Sequence, residues 1–175
     1  MNIRSKLPMI LFALGACLAS GTSMKAYGQA RQNAEAQVLP QAMRDLLDRE
    51  AIRDLPIIYC HNVWEKNIDG IVSQFTSDGE LVLPANLGSG AKGTKALREF
   101  YIKSIASADP RPFVHNHYVV LLGGGRAKGF VYAELRYGSQ KFRTAMIGVY
   151  ADDYLKVGGV WKLARREFTA TPVPN

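Results

Sequence analysis

Apolar positions along the chain follow a helical period first and a strand period later. Met43, Leu46, Leu47, Ile52, Leu55, Tyr59 and Val63 recur at spacings that fall on one side of a helix. They predict a helix over about 42–66, bent or divided at Pro56, because a proline inside a helix removes one backbone hydrogen bond. Asp69, Ile71, Val72 and Phe75 predict a second, short helix, closed by the turn residues Ser77-Asp78-Gly79. Glu80 to Leu83 reads as a short strand stopped by Pro84, followed by a Gly-rich loop from Asn86 to Gly93. Thr94 can cap a third helix that buries Leu97, Phe100, Tyr101 and Ile105, and Asp109-Pro110-Arg111-Pro112 ends it.

From Phe113 onward the pattern is strand, turn, strand. Strands are predicted over 113–122, 127–137, 142–156 and 160–169, separated by Gly123-Gly124-Gly125, Gly138-Ser139 and Gly158-Gly159. Tight turns between consecutive strands favour antiparallel pairing. The elements predict an α+β fold: a curved antiparallel sheet, closed at one end by three N-terminal helices into a cone with a pocket. The 175 residues suffice for one such domain, over 42–170, with a short tail at 171–175.

Charge changes this picture only at the N-terminus. Three of the 22 basic residues, Arg4, Lys6 and Lys25, lie in the first 30 positions, where no acid occurs, and the remainder carries +4 of the formal +7. That excess is spread singly, which argues against a nucleic-acid partner. Arg4, Lys6 and the apolar run Leu7–Leu18 predict an export signal over 1–30, too short to span a membrane permanently. Cleavage fits after Gly28-Gln29-Ala30. Leu14-Gly15-Ala16-Cys17 resembles a bacterial lipobox, at which Cys17 would be lipidated instead. A polar tether is expected over 31–41. Both routes lead out of the cytoplasm, to the periplasm or beyond. Cys60 is then the one thiol of the folded domain, so no intrachain disulfide forms.

The candidate chemistry centres on the strand 113–122, which carries His115 and His117, two of the chain's three histidines. Two positions apart, they would share a face of a regular strand. A metal site would need a third ligand nearby, and no Glu follows the pair until Glu134, so no metal is expected. Gly88-x-Gly90-x-x-Gly93 does not follow a long buried strand inside a βαβ unit, so no nucleotide cofactor is expected either. Glu134 alternates with Phe130, Tyr132 and Arg136 along the next strand, where a cross-strand ion pair with Arg143 or Arg165 is expected. Arg165-Arg166 is expected on a solvated face or at a subunit seam.

An ordered set of residues carries a resemblance. It runs through Ala51-Ile52-Arg53-Asp54-Leu55, Tyr59, Phe75-Thr76-x-Asp78-Gly79, Gly93-x-x-Ala96-Leu97 and His115-Asn116. It continues through Arg126-Ala127-x-Gly129, Gly148-x-Tyr150-x-Asp152-x-Tyr154 and Gly159-x-Trp161-Lys162. Together they resemble the SnoaL-like branch of the nuclear transport factor two-like superfamily, which includes ketosteroid isomerase and scytalone dehydratase. The resemblance implies a cone-shaped barrel, a small hydrophobic ligand and a homodimer or homotrimer. It makes His115 the general base of a dehydratase or isomerase and Tyr59 the hydrogen-bond donor, with no cofactor. Trp64, His117, Tyr132 and Glu134 would line the substrate pocket. Trp64 stands where the family's orienting aspartate is expected, which leaves a non-catalytic ligand-binding or interaction module of the cell envelope as the alternative.

Overall fold

The structure, a computed structural model, describes the backbone of residues 17–172 and the side chains of residues 40–171. The export segment 1–30 and the lipobox at Cys17 lie outside the residues whose side chains are described. Helix α1 (Cys17–Trp64) covers 31–41, the stretch expected as a tether, and continues through Pro56. The chain divides into two compact units, Met1–Arg44 and Asp45–Asn175. In the first, the Arg44 guanidinium donates to Gln41 Oε1 at 2.7 Å. The second holds the remaining elements. These are α2 (Ile68–Ser73), β1 (Phe75–Val82), β2 (Ala91–Lys92), α3 (Thr94–Ala108), β3 (Pro110–Gly123), β4 (Arg126–Tyr137), β5 (Thr144–Val157) and β6 (Val160–Pro172).

The α+β class holds, with a curved sheet of six strands in the order β2-β1-β6-β5-β4-β3. Of the three helices, α1 and α2 precede the sheet, and two strands, β1 and β2, come before α3, where the sequence predicts one short strand over 80–83. Phe75, expected at the end of a helix, opens β1, which runs parallel to β6 and pairs Phe75 with Leu163. The crossover from β1 to β6 spans most of the domain and leaves no local turn signal. Gly93, at φ +81°, rather than Thr94 caps α3. Strand β6 continues into the expected tail.

The core forms where α1 and α3 lie on the inner face of the sheet. Ile52, Leu55, Tyr59 and Val63 from α1 and Leu97, Tyr101 and Ile105 from α3 pack with Val119, Ala127, Tyr154 and Leu163. Each large apolar side chain buried this way contributes about 1.5–3 kcal/mol. Two bulges decide which residues face that core. On β3, Val114 pairs with Ala133 but His117 with Val131, three steps against two. On β6, Arg165 pairs with Asp153 but Leu163 with Tyr154, so one extra residue is inserted there too. An extra residue reverses the in-and-out alternation on one side of it.

Candidate functional site

A cavity of about 380 Å³ opens between α1, α3, the loop after β1 and the inner faces of β4–β6. This lies at the lower end of the roughly 300–1,000 Å³ typical of ligand pockets. Its walls are mostly apolar, from Leu81, Leu83, Leu87, Phe100, Leu135 and Phe168. Its floor is the buried end, where Tyr59, Tyr101 and Tyr150 meet. Lys103, Ser104 and Ser107 of α3 line the solvent end.

The floor presents hydrogen-bond donors. The Tyr59 and Tyr101 hydroxyls lie 3.1 Å apart, so one phenol donates to the other and one O–H remains for a ligand. Burial raises the pKa of Tyr59, with Arg166 pulling the other way, and burial also raises Tyr101 and Tyr150. All three phenols therefore stay protonated at neutral pH.

Behind the floor runs a buried polar network. The Arg166 guanidinium sits 4.5 Å from the ring centroids of both Tyr59 and Tyr150. It donates to Asp152 at 2.9 Å through Nε and at 2.6 Å through Nη2. Both side chains are wholly shielded from solvent. Tyr154 Oη donates to Asp152 Oδ2 at 2.8 Å, and His117 Nε2 lies 3.0 Å from the same hydroxyl. Because Tyr154 spends its proton on Asp152, His117 must donate, which assigns the Nε2–H tautomer. Burial lowers the His117 pKa, with Asp152 opposing, so the ring is neutral at pH 7. Gly129 makes room for this junction. A Cβ there would lie 3.2 Å from both His117 Nε2 and the Tyr154 ring, and 2.6 Å from the Tyr118 carbonyl.

The expected site residues do not come together. Tyr59 lines the cavity, but His115 does not: the bulge turns it to the outer face, where its side chain is 55% exposed. There His115 Nε2 lies 4.0 Å from Glu134 Oε2. Glu134 also faces outward, accepting from Arg136 Nε at 2.7 Å and from Thr144 Oγ1, rather than pairing with Arg143 or Arg165. Those two bonds, Thr144 first, lower its pKa. Tyr132 is exposed on the same face against Phe130. His117 turns inward but is tied to Tyr154 outside the cavity lining. Trp64 closes the end of α1, where its Nε1 donates to the Pro112 carbonyl at 2.9 Å and its ring packs on Phe113. Of the expected pocket residues Trp64, His117, Tyr132 and Glu134, none lines this cavity: Trp64 closes the end of α1, Tyr132 and Glu134 alternate outward along β4, and His117 turns inward behind the floor.

Arg166 corrects a second expectation, since it is fully buried rather than on a solvated face. Tyr101 and Tyr150, which line the cavity, and Arg166 behind them are the residues of this site that the sequence does not single out. One signal was available: Tyr150-x-Asp152-x-Tyr154 puts a carboxylate on the same strand face as two large aromatics, and a buried carboxylate needs a buried cation. Among the described residues, no three metal-ligating side chains converge, and no helix is long and apolar enough to cross a membrane.

Comparison with known proteins places this architecture. The sequence pattern of the SnoaL-like domain family matches residues 44–167. Among curated protein sequences none matches. A proposed scytalone dehydratase from Novosphingobium aromaticivorans superposes with a TM-score of 0.59 at 26% identity, covering 73% of this chain and 86% of that one. A nuclear transport factor two-like protein of the same organism, with a cystatin-like fold, gives 0.67 at 20%, covering 75% and 87%. A type 2 hexachlorocyclohexane dehydrochlorinase gives 0.63 at 17%, covering 75% and 93%. The last two likenesses speak for the fold alone.

Proposed function

Because the chain belongs to the SnoaL-like domain family and its cavity ends in a pair of buried phenols, we propose that it binds a small, largely apolar molecule through one carbonyl or hydroxyl oxygen. The observation that carries this reading is the Tyr59–Tyr101 pair, 3.1 Å apart on an otherwise apolar floor. Buried neutral donors discriminate strongly, because a ligand without an oxygen leaves the free O–H unpaired. Titration of an aryl alkyl ketone, followed by calorimetry, tests it. Tyr59→Phe or Tyr101→Phe is expected to weaken binding about fivefold. Unchanged affinity in both variants contradicts the proposal.

Proton-transfer chemistry of the dehydratase or isomerase type is the second reading. It is favoured by the 26% identity to a proposed scytalone dehydratase and by the Arg166 guanidinium behind Tyr59, which would help the phenol stabilise an enolate oxygen. Against it, neither an imidazole nor a carboxylate is among the residues lining the cavity. Incubating the ketone with protein in heavy water separates the two readings. No exchange of the α-protons above the blank supports a binder. Exchange that disappears in His115→Ala would restore the enzyme with His115 as base.

Self-association and export belong to the same proposal. Tyr118, Phe130 and Tyr132 form an exposed aromatic cluster on the outer face, which supports a homodimer or homotrimer through that face. Light scattering on the purified protein reads the oligomer directly. The charged start and apolar run of residues 1–30 support export, which cell fractionation tests.

A further inference from the structure

The solvent end of the cavity carries a charge that ligand binding through the phenols leaves unused. Lys103 is the one charged side chain among the described residues that line the cavity. It makes no ion pair or hydrogen bond among the described residues, and neither does the Ser104 hydroxyl beside it. Ser107 lies one turn further along the same face of α3. Glu99, one turn before Lys103, forms no ion pair with it.

The cavity therefore has two polar ends of different character. The floor offers a neutral donor. Its nearest cation, Arg166, is already neutralised by two bonds to Asp152 and lies outside the lining. The mouth offers an uncompensated cation with a hydroxyl next to it. Between them lies apolar wall from Leu81, Leu87, Phe100 and Phe168. A neutral ligand would leave Lys103 unpaired, while a ligand with a carboxylate at its outer end would pair it and bury only its apolar body. We propose that the ligand is an amphipathic oxo or hydroxy carboxylic acid. Its internal oxygen meets the Tyr59–Tyr101 pair and its carboxylate meets Lys103 and Ser104. This rests on the binding reading above and names the class of molecule that the site selects.

The test uses aryl keto acids of increasing chain length between ketone and carboxylate, each with its methyl ester, titrated into the full-length protein. The best acid is expected to bind about tenfold more tightly than its ester, since a charge-assisted hydrogen bond is gained only by the acid. The preference should shrink as salt is raised, because the pair sits at a solvent-exposed mouth. Lys103→Met should bring the acid down to the affinity of the ester, and Lys103→Glu should push it below. Lys103 is exposed, so both variants are expected to fold, which circular dichroism checks. If acid and ester bind the wild type within about twofold of each other at every length, the inference fails while the cavity reading stands. If Lys103→Met keeps the preference, the carboxylate is held elsewhere and the inference fails. If no acid and no ester binds at all, both fail together.

Discussion

The inner and outer faces of the same strands carry similar chemistry in different states. Each has a histidine on β3, an acid on the neighbouring part of the sheet and an arginine. Inside, His117, Tyr154, Asp152 and Arg166 form one continuous hydrogen-bonded path, shielded from water. Outside, His115, Glu134 and Arg136 stand in a looser cluster, with the histidine more than half exposed. Low dielectric makes the inner interactions strong and their disruption costly, while solvent screening makes the outer ones weak. The cavity is built on the inner set, whose Arg166 backs the Tyr59 and Tyr150 rings. Burial, rather than residue type, separates the two sets.

The sharpest break is Asp152→Ala. It strands the Arg166 guanidinium in a fully buried site and is expected to cost about 3–5 kcal/mol, read from the denaturant midpoint. Replacing both partners, Asp152→Leu with Arg166→Met, should cost less than either single change, because no charge is left alone. Gly129→Ala comes next. Its Cβ would press on the Tyr118 carbonyl and crowd the His117–Tyr154 contact, so a loss of about 1–3 kcal/mol is expected in the same measurement.

Acid pH sharpens the comparison from the side of the histidines. The unfolded His117 imidazole takes up a proton near pH 6.5, and the buried ring only at lower pH. Over that window the unfolded state binds more protons, so this group's stabilising contribution is complete above about pH 6.5 and is lost as pH falls through the folded-state pKa. His117→Asn should flatten the dependence there. An equally steep decline in the variant would mean that another group is responsible. The smallest effect is expected at His115→Ala, within about 0.5 kcal/mol of wild type in stability.

Much of the fold was legible because period and turn chemistry are local. Helix α3 and the three antiparallel pairings among β3, β4, β5 and β6 follow from apolar spacing and glycine turns. The parallel pairing of β1 with β6 depends on a contact across most of the domain, which no local pattern records. The candidate site was legible at Tyr59, whose helical phase is fixed by Ile52, Leu55 and Val63. It was misread at His115 and Arg166 for one shared reason. Each lies beside a bulge, and a bulge shifts every later side chain to the opposite face without marking the sequence. The bland residues Tyr101 and Tyr150 became informative only once their hydroxyls and rings were seen to converge on Tyr59.

The most direct test is a crystal structure of the protein with an aryl ketone or keto acid bound. The ketone oxygen is expected within hydrogen-bond distance of the Tyr59 or Tyr101 hydroxyl, with His115 in solvent on the far side of the sheet. A ligand seated on the outer face, with its oxygen or α-carbon against His115, would contradict the account.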